Sequence, residues 1–344
     1  MRRAAIPPGE LPQRTGRTSL CGMDLVRTGV LLPLKAEQWA GADPRELVDL
    51  AVRAERAGYD SVWANDTLLG AHIDPLTVLA AVAAATERVT LGTAALLPAF
   101  RRPVQAAKAI ASLDLLAGGR LVLGVGAGFP GRSEPEYAAS EVPWPHRFAR
   151  LDDTVALWRR LWAAEGPTSF TGDVLRFSDI PAGTRPYRSG GPPVWLAGAT
   201  PAALARTGRH YDGWLPYPPE PATYAAGLTD IRTAALTAGR AQDAITPALF
   251  ATVLLASDVP SGQRAVDEFC RENYGLPLEV VERIQTIVAG PPEHVAAGLA
   301  RFVEAGARHI VLRIAAPGLD GQRDQLDRLA DLLLGVRDPV ISTV

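Results

Sequence analysis

The sequence predicts an α/β protein, specifically a (β/α)8 TIM barrel with an insertion after strand four. Three observations predict it. One module recurs along the chain: an amphipathic helix, a glycine stop and a short apolar strand. Eight apolar strand segments alternate with segments that can be helical. The gap between the fourth and fifth strands is much longer than one helix requires. A doubly wound parallel sheet is the competing arrangement.

RTGVLLP at 27–33 is the first strand. Leu47, Leu50, Ala51, Ala54 and Ala57 then fall at helical spacing, Gly58 takes the C′ position, and SVWAN at 61–65 is strand two. Asp74 is an N-cap with Pro75 at the first helical position, and VTLGTAALL at 89–97 is strand three. LVLGVGA at 121–127 is strand four. PVWLAGA at 193–199, DGWLPY at 212–217, ITPALFATVLLA at 245–256 and HIVLRIA at 309–315 complete the set. The gap at about 129–192 is the predicted insertion; it holds one clear helix, FARLDDTVALWRRLW, between Pro- and Gly-rich stretches. Residues 1–22 are expected to be a disordered leader, with Met23 as a candidate start, and 23–340 a single barrel domain.

Composition narrows the function classes. A net charge of −2 gives no basic face for nucleic acid. No run of 18 apolar residues predicts a membrane span, and the N-terminal Arg pair lacks the apolar segment of a secretory signal. Cys21 and Cys270 have no metal-ligand spacing, so unpaired thiols in the cytoplasm and no metal site are expected. No GxSxG or Cys–His set suggests nucleophilic catalysis.

Gly126, Gly128 and Gly131 in LVLGVGAGFPG spell the dinucleotide fingerprint G-x-G-x-x-G. Three βα units already precede it, Pro130 and Pro135 interrupt the helix it needs, and Glu141 lies in EVPWPHRF, which is not a buried strand. The glycines fit better as a bare exit of strand four, where a flat ligand can approach the backbone. A tight, bulged strand exit is the structural alternative.

SVWANDTLL, then DPLTVLAAVAAATERVTLGTAALLPAFRRPVQAAKAIASLDLLAGGRLVLGVGAG, then GGPPVWLAGATPAAL and GRHYDGWLP resemble the bacterial-luciferase-like family. Its members are flavin monooxygenases and coenzyme F420-dependent oxidoreductases on a β/α barrel with an insertion after strand four. The resemblance spans about residues 27–315. It implies a cofactor, reduced FMN or coenzyme F420, with its ring against a cis peptide at Ala94–Ala95. It implies a cofactor phosphate at Gly198, Ala199 and Thr200, where a strand exit meets a helix N-terminus. Asn65, Asp66 and Thr67 end strand two, where many relatives carry a His that is often catalytic. Ala127 stands where some relatives carry an Arg or Glu. Both positions depart from the family pattern and disfavour a sugar-phosphate dehydrogenase.

Other candidates are His146 in the insertion as a proton donor, and Tyr217 and Arg313 at the mouth. Arg313 suits an anionic substrate group, a flavin carbonyl or a neighbouring acid. Trp63, Trp195 and Trp214 suit core packing. The expected function is a luciferase-like monooxygenase acting with reduced FMN and oxygen on a small organic substrate. Direct hydride transfer with coenzyme F420 is the alternative. A non-catalytic flavin-binding protein and a hydrolytic barrel with paired carboxylates rank below both. The resemblance further implies a flavin reductase for the FMN case and a homodimer.

Overall fold

A computed structural model describes residues 26–39 and 41–337. The leader at 1–22, Cys21, Met23 and the tail at 338–340 lie outside the described residues. The strands are β1 (Arg27–Leu31), β2 (Ser61–Ala64), β3 (Thr90–Leu96), β4 (Leu121–Val125), β5 (Thr168–Thr171) and β6 (Arg176–Ile180). They continue as β7 (Val194–Leu196), β8 (Gly213–Trp214), β9 (Thr246–Leu255), β10 (Ile287–Gly290) and β11 (His309–Ile314). Eight of them close into a parallel ring in the order β9, β11, β1, β2, β3, β4, β7, β8 and back to β9. These eight are the segments expected from the sequence. No described helix is long and apolar enough to cross a membrane.

Three strands lie outside that ring of eight. β10 pairs in parallel with the upper part of β9, from Thr252 to Leu255, whereas β8 pairs with the lower part at Thr246 and Pro247. Beyond β8 the backbone departs: Phe250 N–H donates to Pro216 O at 2.8 Å, and Thr286 N–H to Tyr217 O at 2.9 Å. β10 therefore enters between β8 and β9 at the C-terminal end. β5 and β6 form an antiparallel hairpin outside the barrel. The Asp153 carboxylate holds its turn, accepting from Asp173, Val174 and Leu175 N–H at 3.2, 2.6 and 2.9 Å.

Helix Arg147–Ala163 packs against helix Pro103–Leu116, and its Asp152 and Arg159 bond Arg206, Tyr211 and Asp212. It thus takes the place of the fourth barrel helix. The added chain lies on either side of it, as a roof over 126–146 and as the β5–β6 hairpin.

The barrel interior carries the clearest packing logic. Leu31, Trp63, Val122, Trp195, Leu215, Ala248 and Val311 form one buried cluster, one residue or so from each strand. The Trp63 and Trp195 rings lie 5.3 Å apart, and His309 meets both edge-on at 5.6 and 5.3 Å. Backbone glycines make the room: a Cβ on Gly92 would sit 2.2 Å from the Trp63 ring, and one on Gly213 2.4 Å from the Trp195 ring. Ser61 Oγ accepts from Trp63 Nε1 at 2.7 Å and shares a hydrogen bond with His309 Nε2 at 2.8 Å. The polar atoms of this core are thereby satisfied without water.

Burial, with Arg27 adding to it, holds the His309 imidazole down to about 3. In the unfolded chain the ring keeps its ordinary value of 6.5. A depressed folded value means the contribution is complete above about pH 6.5 and is lost as pH falls toward 3. Each unit in that window should cost about 1 kcal/mol. Urea unfolding at a series of pH values should show this slope in the wild type and a shallower one in His309→Gln.

Candidate active site

The C-terminal strand ends form the mouth, and strand alternation decides what faces it. Above Trp63 the next inward position is Asn65, just past the end of β2, and Thr67 follows in the loop; both are half-buried. Leu215 leads to Tyr217, Val311 to Arg313, Trp195 to Ala197, and Val122 through Gly124 to Gly126. A Cβ built on Gly126 would lie 3.6 Å from Ala95 Cβ and 4.0 Å from Ala197 Cβ. Gly126, Ala95 and Ala197 therefore make a bare, flat floor. The Ala94–Ala95 peptide beside it is cis. Next to it, Thr93 Oγ1 donates to Gly124 O at 2.8 Å, and the β3–β4 register shifts between Thr93 and Leu96.

Ala127 is not on that floor. It is 7% exposed and belongs to the core cluster between the barrel and its helices. The reason is the period of two: Gly124 and Gly126 face inward, so Val125 and Ala127 face outward. The large side chain exposed at this exit is Phe129, at 49%. Gly128 serves the roof: it has φ +80°, and a Cβ there would sit 2.7 Å from Ser133 Cβ. The roof is tied down by Tyr137, whose hydroxyl donates to Ala127 O at 2.9 Å, and by Glu136, which accepts from Leu68 N–H at 2.9 Å. Burial pushes the Tyr137 phenol up to about 12, so it stays a donor.

Asp66 is spoken for. Its Oδ2 accepts from Leu97 N–H at 2.9 Å and Arg101 Nη1 at 2.6 Å, and its Oδ1 from Arg101 Nη2 at 3.1 Å. Arg101 also bonds Asp74. The carboxylate thus joins the loops after β2 and β3 and leaves Asn65 and Thr67 as the groups at the opening. Asn65 and Thr67 make no side-chain hydrogen bond among the described residues.

Across the floor, Gly198 adopts φ +124° and leads to exposed Ala199 and Thr200. Helix Pro201–His210 starts there, with Thr200 Oγ1 accepting from Ala203 N–H at 3.3 Å. Trp214 braces this turn: its Nε1 donates to Gly198 O at 2.8 Å while its ring stacks on Tyr224 at 4.9 Å. Sequence reasoning gave Trp214 a packing role and missed the brace. His146 is exposed at φ 63°, at the start of helix Arg147–Ala163, and the structure does not bring it to the floor. Tyr217 is half-buried, and burial raises its phenol above the ordinary value, with Tyr274 adding to the shift. Arg313 bonds the Tyr274 hydroxyl and, at 3.3 Å, Asn273 Oδ1. Neither partner stands near it in sequence, which is why spacing could not reveal them. Among the described residues no cluster of His, Cys, Asp or Glu could hold a metal ion.

The family model described as luciferase-like monooxygenase matches residues 26–309. The chain is 33% identical to an F420-dependent glucose-6-phosphate dehydrogenase of Amycolatopsis mediterranei, over 84% of this chain and 92% of that protein. The structure of monooxygenase RslO1 from Streptomyces bottropensis matches with a TM-score of 0.75 at 25% identity, covering 90% of this chain and 98% of that one. A coenzyme F420-dependent tetrahydromethanopterin reductase from Methanopyrus kandleri matches in fold, with a TM-score of 0.74 at 17% identity, over 92% of this chain and 100% of that one.

Asp66→Asn tests the structural assignment of that carboxylate. It keeps the Leu97 contact and loses the charge facing Arg101. Unfolding free energy should fall by about 1–3 kcal/mol in urea denaturation. Unchanged stability with lost activity would instead make Asp66 a reacting group.

Proposed function

Because the chain belongs to the luciferase-like monooxygenase family, we propose that its bare floor holds the ring of a flavin-type cofactor for the oxidation or reduction of a small organic substrate. The observation that carries this reading is the floor itself: Gly126, Ala95 and Ala197 lie together beside the cis Ala94–Ala95 bond, and none of them carries more than a methyl group. A planar ring fits such a surface, and a larger residue at Gly126 would fill it. The cofactor phosphate is assigned to Gly198, Ala199 and Thr200, where backbone amides and the positive helix end converge. Trp214 orients that turn through Gly198 O.

Either cofactor supplies two reducing equivalents, to oxygen in the case of reduced FMN and to the substrate as hydride in the case of reduced coenzyme F420. The chain supplies binding, orientation and shelter from water. Asn65 and Thr67 offer uncommitted hydrogen-bonding groups beside the floor. Tyr217 keeps its proton through the neutral range and can donate it as a hydrogen bond to a substrate oxygen. Asp66 and Ala127 act from behind, through packing and loop position. His146 has no role in this reading.

Two observations bear on which cofactor is used. The named activity of the Amycolatopsis relative favours coenzyme F420. The likeness to RslO1, named as a monooxygenase, favours monooxygenase chemistry and with it the FMN case. A flavin reductase partner belongs to the FMN case alone. The cytoplasm is the compartment that provides either reduced cofactor. A homodimer is also proposed: helix Pro75–Ala85, sequence PLTVLAAVAAA, carries no charge although Ala81, Ala84 and Ala85 are exposed. It borders a groove of about 1190 Å³ lined by Leu76, Ala80, Ala106, Ala109 and Leu116. A second copy would cover that apolar surface.

Titration of the purified protein with FMN and with coenzyme F420, in both redox states, tests the proposal. Saturable binding of one of them is expected, and binding of neither rejects it. Ala94→Leu should abolish that binding while the far-ultraviolet circular dichroism stays unchanged. Thr200→Val should weaken binding severalfold through the lost phosphate contact.

A further inference from the structure

The mouth has a second chemical feature, on the side away from Gly198. Arg313 faces inward from β11, and its guanidinium lies 4.7 Å from the Phe269 ring and 5.1 Å from the Tyr274 ring. Its hydrogen-bond partners, Tyr274 and Asn273, are neutral, and its Nε is buried with no partner. Among the described residues it has no carboxylate. Arg132, from the roof, stands 5.7 Å over the same Tyr274 ring and is otherwise exposed and without an ion pair among the described residues. Lys35, just after β1, reaches Glu272 O at 2.9 Å, two residues from Tyr274. Its backbone pairs with that of His72, whose Nδ1 is also buried and unpartnered. Burial and then the charge of Lys35 hold the His72 ring below its ordinary value; Glu37 opposes them, and Arg132 and Arg313 lower it by smaller amounts.

We propose that Arg313 and Arg132, which meet at the Tyr274 ring, form with the neighbouring Lys35 and His72 a binding site for an anionic group, carboxylate or phosphate, on the substrate. Two segments deliver a guanidinium to one aromatic ring, a third brings Lys35 to the backbone two residues before it, and a fourth sets His72 beside Lys35. Among the described residues the only carboxylate paired with any of the four is Glu37, 3.7 Å from Lys35 and largely exposed. Holding a guanidinium out of water against neutral partners is costly, and an incoming anion removes that cost. Arg suits the task because its planar fork grips carboxylate or phosphate oxygens while its faces lie on aromatic rings. A molecule anchored at Arg313 would extend inward over the floor of Gly126, Ala95 and Ala197. This assignment rests on the cofactor reading above for what happens over that floor, and not for the anion contact itself.

The test is calorimetric titration with glutarate and with inorganic phosphate, on protein alone and on protein saturated with whichever cofactor it binds. At least one anion should bind to the saturated protein with one-to-one stoichiometry. Arg313→Gln and Arg132→Ala should each weaken that binding at least tenfold and leave FMN affinity unchanged. Arg132 is exposed, so its variant stays informative if Arg313→Gln fails to fold. No anion binding in the wild type, or equal binding in the Arg132 variant, overturns the proposal. Loss of coenzyme F420 affinity without loss of FMN affinity overturns the substrate assignment, because the anion is then the glutamate-bearing tail of that coenzyme. Failure of all cofactor binding would reject the cofactor reading, while the titration on protein alone still decides the anion site.

Discussion

A closed barrel has one interior, and what fills its base decides where a ligand can rest. Here two indoles and an imidazole fill it. Trp63 and Trp195 need glycines opposite them, and the polar edge of Trp63 is met by Ser61, which also bonds His309. With the base sealed, small residues one or two positions further along β3, β4 and β7 become a floor, not a void. The site therefore depends on the packing beneath it. β7 presents Trp195 below and only Ala197 above, and β4 presents Val122 below and Gly126 above.

The surroundings of the floor divide into two sides. One side is backbone: the Gly198 turn, held by Trp214 and opening a helix whose amides favour an anion. The other side is side chain: Arg313 and its neighbours around Tyr274. Between them the roof is fixed by Tyr137 and Glu136, which bind it to the exit of β4 and the loop after β2. Asp66 and Arg101 fasten that loop to the one after β3. Asp66, Arg101 and Glu136 are thus engaged in holding loops, while Arg313 and Arg132 meet at Tyr274.

Much of this was legible in the sequence. Apolar period and Gly stops located all eight barrel strands, because each βα unit writes its own boundaries locally. Asp74 and Thr200 cap helices as their positions suggested, with Asp74 accepting from Thr77 N–H and Thr200 from Ala203 N–H. The β5–β6 hairpin escaped notice because β5 has only four residues, β6 is largely exposed without an alternating pattern, and its turn is held by Asp153, a residue on another element. β10 escaped because four residues, IVAG, carry too little pattern to stand apart from the helix that follows. At the site, Asn65, Thr67, Ala94, Ala95 and Gly126 could be placed from strand period and family likeness. Ala127 could not, since a one-residue error of phase moves a side chain to the opposite face. Asp66 and Arg313 have partners 35 and 39 residues away, and no local spacing encodes such pairs.

The entry of β10 between β8 and β9 has a geometric consequence. Neighbouring strands lie about 4.8 Å apart, so each added strand lengthens the perimeter of a ring by about that amount. Eight strands encircle the base, where β8 pairs with Thr246 and Pro247 of β9. At the rim β10 pairs with Thr252–Leu255 of β9, and Thr286 N–H donates to Tyr217 O. The segments after β8 and along β9 are therefore parted at that end by an inserted strand. The base is plugged by two indoles. Tyr217, at the point where β8 yields to β10, stands where that parting begins.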